Sequence, residues 1–531
     1  MPQFDYVVVG AGSAGCVLTN RLVLAGHRVL LIEAGPKDNT PFIHTPSTFI
    51  RVLGSKRTWL YQSEPQASAA NRRMIIPQGR TLGGSSSVNA MIYIRGNPQD
   101  YDDWLAQGCT GWGWDQVLPV FKRAESNQRL AGHYHGVDGP LNVSDARHRH
   151  PFSLAFVKAA QEAGLSYNDD FNGEQQVGVG FYQTTTHEGR RRSTAASYLA
   201  AVLNNPLLTV ASNCHVSKII CQDGAARGVI YHRANGEEVM AYAQKEVILA
   251  AGALATPKIL MLSGIGPAAH LAALTIPLVK DLPAVGQNFQ DHLEVPIYAR
   301  SKQAISLLGQ DKGWNAIKNG LQYLLFKTGL LTSNVVESGG FADTSGSGRA
   351  DVQFHVLPVL VGDADREPIA GHGLSLNVCF LRPKSRGTLT LRSNNPLDPI
   401  WLDGGYLSHI EDVQTLIRGV KLARRILRSP SLTKVIKREL LPGAEANISD
   451  ASLEEHVRRY AKTVYHPAST CSMGVSERTS VVDPQLRVHG ISQLRICDAS
   501  IMPTLISGNT NAPVIMIAER CADFILQQDG D

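Results

Sequence analysis

Three absences narrow the class of protein. The eight cysteines are scattered without a CxxC pair, so neither a disulfide framework nor a bound metal is predicted. No segment is typical of a membrane span, because the uncharged run at residues 501–518 is interrupted by prolines, a glycine and asparagines. The net charge of +5 is spread over 531 residues without a long Lys/Arg run, which indicates no nucleic-acid partner.

The start of the chain and its composition add three expectations. A strand-like segment begins at Phe4, which leaves no room for a signal peptide, so we expect a cytoplasmic location with reduced thiols. Arg190, Arg191 and Arg192 form the densest basic cluster, which we interpret as a solvated turn. With 43% hydrophobic and 18% charged residues, the chain is typical of a globular protein of two or three domains.

The stretch that organises the chain is its beginning. An apolar strand leads into Gly10-Ala11-Gly12-Ser13-Ala14-Gly15, the pattern of a dinucleotide-binding βαβ unit. Gly10 permits the tight turn, Gly12 lets the backbone approach a pyrophosphate, and Gly15 lets the helix pack closely on the strand. The helix N-terminus then presents N–H groups to phosphates. A glycine-rich turn without a ligand is the alternative.

Glu33 ends the second predicted strand. A carboxylate at this position accepts hydrogen bonds from ribose hydroxyls and repels a 2′-phosphate. The predicted ligand therefore carries an unphosphorylated adenosine ribose. These residues leave both NAD and FAD open.

Four later stretches describe the rest of the chain. Residues 79–90 are rich in glycine and serine, so they predict a close backbone approach to a ligand or, alternatively, a flexible loop. Residues 246–253 form a predicted buried strand that ends in small residues, as at a second approach to a nucleotide. Residues 296–460 alternate in the way typical of an antiparallel sheet in a separate domain. A buried strand at 494–499 and a closing helix return to the parallel pattern.

Taken in order, these stretches resemble the glucose–methanol–choline (GMC) oxidoreductases. The resemblance depends on residues 10–15 with Glu33, residues 79–89, residues 252–267, and the C-terminal Tyr465-His466-Pro467 and Asn509-Thr510-Asn511-Ala512-Pro513. It covers essentially the whole chain, and within the family it points to bacterial choline-dehydrogenase-like and medium-chain alkanol dehydrogenases. It implies an α/β FAD-binding Rossmann-like domain plus an α+β substrate domain with an antiparallel sheet.

The resemblance also implies the cofactor, its binding residues and the domain boundaries. The FAD-binding parts would be residues 1–155, 190–295 and 460–531, and the substrate parts 156–189 and 296–459. Val88 stands where some relatives carry a histidine that bonds FAD covalently, so we expect a non-covalent flavin. The implied cofactor-binding residues are Gly10, Gly12, Ser13, Ala14, Gly15, Glu33, Ala34, Arg80, Gly83, Gly84, Ser85, Asn89, Ala90, Val216, Gly252, Asp498, Ala499, Asn511 and Ala512.

Two residues are implied to be catalytic. His466 would take the hydroxyl proton of an alcohol as hydride leaves the same carbon. Asn511 would match the family's second catalytic position and hold the alcohol oxygen, since an amide cannot act as a base. A structural histidine beside a turn-forming asparagine is the alternative for this pair.

The substrate side is described by three residues and one helix. Trp59 and Tyr465 would line an apolar pocket, and Glu337 would match a carboxylate associated with cation binding, although a structural ion pair explains Glu337 equally well. The amphipathic segment 314–327 predicts either a lid helix over the substrate domain or a contact with a membrane surface.

The expected activity is FAD-dependent oxidation of a primary alcohol, aliphatic or aromatic, to an aldehyde, with electrons passed to a quinone-like acceptor. The alternatives are an alcohol oxidase that uses O2, a choline-type dehydrogenase, a non-catalytic FAD-binding protein, and an NAD-dependent dehydrogenase. On this interpretation the protein is cytoplasmic, either free or peripheral on the inner face of the membrane.

Overall fold

The computed structural model describes residues 3–361, 369–445 and 448–528, so the outermost residues of the first and last predicted segments lie outside the described part. Its strands are, in chain order, β1 Phe4–Val9, β2 Val29–Glu33, β3 Thr58–Gln62, β4 Ile75–Gly79, β5 Glu125–Asn127, β6 Leu141–Asp145, β7 Gly178–Phe181, β8 Gln183–Thr184, β9 Thr186–His187, β10 Arg190–Arg191, β11 Leu208–Ser212, β12 Cys214–Gln222, β13 Ala225–Arg233, β14 Glu238–Leu249, β15 Ile265–Gly266, β16 Lys280–Asp281, β17 Leu293–Ser301, β18 Ser338–Ala342, β19 Val352–Leu357, β20 Gly373–Phe380, β21 Thr388–Leu391, β22 Ile400–Asp403, β23 Ile436–Leu441, β24 Lys462–Thr463 and β25 Leu494–Ile496.

The helices connect and cover these strands. They are α1 Ser13–Leu24, α2 Pro41–His44, α3 Pro98–Ala106, α4 Trp114–Ala124, α5 Pro151–Glu162, α6 Ala200–Val202, α7 Ala255–Leu262, α8 Ala268–Ala273, α9 Gly313–Phe326, α10 Ile410–Leu427, α11 Pro430–Thr433, α12 Asp450–Tyr460 and α13 Asn511–Gln528.

The first large sheet has the order β11-β2-β1-β14-β13-β12, with β25 also paired to β14. The pairs β11–β2, β2–β1, β1–β14 and β14–β25 are parallel, whereas β12, β13 and the first half of β14 form an antiparallel meander. β2 is buried along its whole length, as expected for a parallel strand covered on both faces. This sheet confirms the predicted Rossmann-like part of the fold.

The second large sheet has the order β23-β17-β20-β19-β18-β7, with β24 also paired to β17, and its pairs are antiparallel. It confirms the predicted substrate domain with an antiparallel sheet. The helix α10 packs on β17, β19 and β20, where Gly419 allows close contact because a Cβ there would lie 2.4 Å from Val378.

The chain crosses between the sheets more than once. β17 spans the predicted boundary at 295/296, α5 spans that at 155/156, and β24 belongs to the second sheet although it follows residue 460. The helix α13 returns to pack on α1, where Arg21 forms an ion pair with the fully buried Glu519 (2.7 Å). The chain therefore connects the two sheets at several points, and residues of both sheets line one cavity.

Candidate active site

One cavity of about 1070 Å³ runs from the glycine turn after β1 to the second sheet. Most of the predicted site residues line it, but Gly15, Gly83, Ala512 and Glu337 are not among its lining residues. The predicted residues that line the cavity are Gly10, Gly12, Ser13, Ala14, Glu33, Ala34, Trp59, Arg80, Gly84, Ser85, Asn89, Ala90, Val216, Gly252, Tyr465, His466, Asp498, Ala499 and Asn511.

The three glycines of the turn have different surroundings. Gly10 has φ +101°, and a Cβ there would lie 2.5 Å from the Ala250 carbonyl oxygen. A Cβ on Gly15 would lie 1.8 Å from the Gly10 carbonyl oxygen, so Gly15 serves packing of α1 on β1. Around Gly12 the nearest heavy atom to such a Cβ is 3.9 Å away, which leaves its face open to the cavity.

The N-terminus of α1 suits a diphosphate. Its N-cap is Gly12, which provides no side-chain hydrogen bond. The first N–H groups of a helix need partners from outside it, and anions supply them favourably. The residues present therefore fit the pyrophosphate of a dinucleotide such as FAD.

Glu33 is buried at the end of β2. Its carboxylate accepts hydrogen bonds from the Ala11 N–H (2.9 Å) and the Gly35 N–H (2.8 Å). Burial raises the pKa of Glu33 to about 7, although these N–H groups and the charge of Arg80 act in the opposite direction. Each carboxylate oxygen keeps a further acceptor site, as ribose binding would require.

The glycine-rich block lies against the turn. A Cβ on Gly84 would lie 2.6 Å from the Gly12 Cα, so the two backbones touch. Asn89 is held by Arg191, whose Nη1 donates to Asn89 Oδ1 (2.7 Å). Arg191 is 2% exposed, and burial lowers its pKa to about 9. The interpretation of this arginine cluster as a solvated turn is therefore wrong for Arg191.

The C-terminal segment closes the other side of the turn. Asp498 Oδ2 accepts hydrogen bonds from the Gly252 N–H (2.8 Å) and the Thr256 hydroxyl (2.6 Å). Asn511 begins α13, and its Oδ1 accepts a hydrogen bond from the Ser13 hydroxyl (2.8 Å). Asn511 therefore belongs to the wall of the nucleotide site.

His466 lies where the cavity reaches the second sheet. Its backbone N–H donates to Asp291 Oδ1 (2.9 Å), and Asp291 Oδ2 accepts from the Tyr406 hydroxyl (2.8 Å). The preceding Tyr465 has φ +69°, an unusual backbone state that the surrounding contacts must hold. This loop fixes the position of the imidazole.

The chain of hydrogen bonds settles which nitrogen of His466 is free. His292 Nε2 donates to the Leu381 carbonyl oxygen (2.9 Å), so Nδ1 of the neutral His292 ring is an acceptor. Because the two Nδ1 atoms are 3.0 Å apart, His466 Nδ1 must donate. His466 Nε2 therefore carries the lone pair.

Asn509, rather than Asn511, faces that lone pair. Asn509 Nδ2 lies 3.4 Å from His466 Nε2, and Asn509 Oδ1 accepts a hydrogen bond from Gln353 Nε2 (3.1 Å). Asn511, predicted as the second catalytic residue, does not face His466, since α13 begins at Asn511 and its side chain accepts from Ser13.

Burial keeps both imidazoles neutral. It lowers the pKa of His292 to about 4. The pKa of His466 lies well below its ordinary value, chiefly through burial and then through the nearby His292 and His355. A neutral imidazole with a free Nε2 can accept a proton.

The three predicted pocket residues have different positions. Tyr465 is exposed at the cavity wall. The Trp59 ring lies 4.3 Å from the Arg80 guanidinium carbon and beside His215, which places it on the nucleotide side next to Val216.

Glu337 forms a structural ion pair. Its fully buried side chain accepts from His148 Nδ1 (2.6 Å) and the His150 N–H (2.5 Å). Hydrogen bonds from these and from Ser333 hold the pKa of Glu337 below its ordinary value, although burial alone would raise it.

Sequence reasoning missed the residues that orient His466 and Asn509. Asp291 and His292 come just before β17, and Gln353 lies on β19. A cluster of titratable residues, Asp291-His292-Leu293-Glu294, enters a buried strand there, and that cluster was the available signal.

The helix α9 is largely exposed. Only Tyr323 of its residues is buried, while Trp314 is 73%, Leu325 70% and Phe326 67% exposed. The prediction that these aromatic and aliphatic residues pack as a lid is therefore wrong for most of them. Within the described ranges, none of the helices is long and apolar enough to cross a bilayer.

The glycine turn, the acidic strand end and a neutral histidine in one cavity define a dinucleotide-dependent oxidoreductase. The chain belongs to the GMC oxidoreductase family, because residues 4–294 match the N-terminal and residues 383–518 the C-terminal GMC oxidoreductase model. Like other members of this family, it is an FAD-dependent oxidoreductase acting on CH–OH donors.

Relatives and solved structures agree with this assignment. Alcohol dehydrogenase (acceptor) of Pseudomonas putida is 46% identical over 99% of this chain and 96% of its own length. The mitochondrial choline dehydrogenase of Homo sapiens is 43% identical over 99% of this chain and 90% of its own length. Pyridoxine 4-oxidase from Mesorbium loti matches with TM-score 0.89, 30% identity and full coverage of both chains. Formate oxidase of Aspergillus oryzae matches with TM-score 0.92 and 27% identity, over 100% of this chain and 99% of its own.

Proposed function

We propose that the protein oxidises a primary alcohol to the aldehyde, with His466 as the base and Asn509 as the group that holds the alcohol oxygen. The observation that carries this proposal is the unprotonated Nε2 of a neutral histidine 3.4 Å from the Asn509 amide nitrogen in the cavity. When bound, FAD accepts the hydride that leaves the hydroxyl-bearing carbon.

The residues of the chain have separate roles. His466 Nε2 takes the hydroxyl proton, and His292 keeps the Nδ1 proton in place while the imidazolium forms. Gln353 fixes the Asn509 amide so that its Nδ2 points to the reacting side. The resulting imidazolium stabilises the alkoxide-like charge.

The nature of the electron acceptor is part of the proposal. The relative from Pseudomonas putida is named for an acceptor, whereas the Mesorbium loti relative is named an oxidase. The higher identity to the former supports a dedicated electron acceptor, which we propose to be quinone-like. The flavin is proposed to be non-covalent, since Val88 has no nucleophilic group.

Anaerobic mixing with aliphatic, benzylic and quaternary-ammonium alcohols tests the reaction. We expect flavin bleaching in the wild type and recolouring on addition of a quinone analogue but not of air. In His466→Ala the bleaching rate should fall by on the order of a thousandfold with full flavin content. Bleaching at the wild-type rate would remove His466 as the base.

A second proposal is that α9 docks the protein on the inner face of the cytoplasmic membrane. Its exposed Trp314, Ile317, Leu321, Leu324, Leu325 and Phe326 form an apolar surface. Lys312 and Lys318 are exposed beside it, and basic residues flanking an apolar helix face are suited to anionic lipid head groups.

Sedimentation with anionic phosphatidylglycerol vesicles tests this docking. We expect the wild type to bind, and the double variant Leu325→Ser, Phe326→Ser to remain in solution. Val475→Ser is the control, because Val475 is an apolar residue outside α9, 71% exposed and beside Gly108. Equal binding of all three proteins would contradict the proposal.

A further inference from the structure

The substrate half of the cavity contains a buried carboxylate that no predicted role includes. Glu294 on β17 is 6% exposed and lines the cavity together with His355, Asn377 and Lys462. These four residues come from four different strands of the second sheet. We call them the Glu294 cluster.

The charge of Glu294 is already compensated within the protein. Its Oε2 lies 2.9 Å from His355 Nδ1, its Oε1 accepts from Asn377 Nδ2 (2.5 Å), and Lys462 Nζ lies 3.6 Å from Oε1. Burial alone would raise the pKa of Glu294, but these contacts hold it below its ordinary value. A cationic ligand would therefore find no uncompensated negative charge, and it would meet Lys462.

The same contacts leave two polar atoms of the Glu294 cluster without partners. Because His355 Nδ1 faces the carboxylate, Nε2 is the ring atom left over for a further hydrogen bond. Because Asn377 Nδ2 faces the carboxylate, its Oδ1 is left over as an acceptor. Both atoms are buried and have no hydrogen-bond partner, and His355 and Asn377 are direct cross-strand neighbours.

Unpaired buried polar atoms next to a cavity indicate a ligand with a hydrogen-bonding group, and a hydroxyl can both donate and accept. Gln353, which orients Asn509, lies two residues before His355 on the same face of β19. That spacing is about 7 Å along a strand. A hydroxyl remote from the reacting carbon can therefore reach the Glu294 cluster while the reacting hydroxyl lies at Asn509.

We propose that the Glu294 cluster is a substrate subsite that binds an uncharged hydroxyl at the far end of the alcohol. The preferred substrates are then linear alcohols with a second terminal hydroxyl. Quaternary-ammonium alcohols are disfavoured, because they have no N–H donor and carry a charge that Lys462 repels. This inference rests on the proposed alcohol oxidation.

The test compares kcat/KM for hexanol, for hexanediol with both hydroxyls terminal, and for choline. We expect the wild type to prefer the diol over hexanol by about three- to tenfold, and to oxidise choline more slowly than either. Without a subsite the order reverses, because a buried hydroxyl without a partner is penalised. A preference for hexanol or for choline would overturn the inference.

Variants separate the subsite from general damage. His355→Phe should abolish the preference for the diol, whereas the cavity control Leu357→Val should keep it. Each preference is a ratio within one protein, so partial misfolding cancels. Lys462→Met should raise kcat/KM for choline severalfold, and no change would contradict the role of Lys462. If no alcohol bleaches the flavin, alcohol oxidation itself fails; if hexanol reacts without a diol preference, only the subsite fails.

Discussion

The two ends of the cavity are built by different means. At the nucleotide end the groups that would meet the ligand are backbone N–H groups and glycines packed around one turn, such as Gly10 and Gly12 with Gly84 against them. At the substrate end they are side chains such as His355, His466 and Asn509 from segments far apart in sequence. The first end depends on close backbone packing, and the second on the register of side chains.

The largest effect should come from adding one methyl group at the nucleotide end. In Gly15→Ala the Cβ would lie 1.8 Å from the Gly10 carbonyl oxygen, so backbone must shift. We expect a loss of at least about 3 kcal/mol in the free energy of unfolding and loss of bound flavin. Denaturant titration and flavin content measure both.

The control for this change is Gly320→Ala. Gly320 lies in α9 with no heavy atom within 4 Å of an added Cβ, so the alanine should stabilise by up to about 1 kcal/mol. If Gly15→Ala retained flavin and stability, the nucleotide end would not depend on backbone packing.

At the substrate end, replacing His292 should lower activity without loss of fold or flavin. His292→Leu removes the acceptor of the His466 Nδ1 proton. The proton of His466 is then no longer held on Nδ1, so Nε2 is no longer kept unprotonated. We expect kcat to fall by on the order of a hundredfold with little change in KM. Steady-state kinetics on flavin-replete protein measure kcat and KM separately.

His292→Gln tests whether this is a positioning role. Its amide can accept from His466 and donate to the Leu381 carbonyl, so partial recovery of kcat is expected. An equal loss of kcat in both variants would show that His292 acts by packing rather than by holding the proton of His466 on Nδ1.

The same contrast explains what the sequence could predict. The glycine turn and Glu33 are found because their surroundings are local in sequence, and His466 is found through the family resemblance of Tyr465-His466-Pro467. Asn509 was missed because the start of α13, and not the spacing alone, decides which asparagine faces His466. Glu337 was chosen where Glu294 lines the cavity, because strand pairing across the second sheet is not visible in one sequence.

On the acid side, activity should fall at a lower pH than the pKa of a free histidine would predict. The neutral form of His466 is the base, and it persists above a pKa that burial, His292 and His355 lower. Burial raises the pKa of Asp291, which holds the His466 backbone, to about 6. We therefore expect kcat/KM to be flat above pH about 7 and to fall with an inflection at about 6 or lower. An inflection at or above the ordinary histidine pKa would contradict the buried, neutral His466.

The smallest effect is expected for a substitution of Trp59, which tests whether this residue belongs to the nucleotide end or to the substrate end of the cavity. Its ring contacts the Arg80 guanidinium at 4.3 Å, a pairing that contributes about 0.5–1 kcal/mol at an exposed site. Trp59→Leu should therefore weaken FAD binding by about two- to fivefold and leave kcat unchanged on flavin-replete protein. Tyr465→Phe, beside His466, should show the converse, with unchanged FAD affinity and an altered KM for alcohol. If Trp59→Leu instead changed the ranking of alcohols, Trp59 would belong to the substrate end, because only contact with the alcohol can alter discrimination between alcohols.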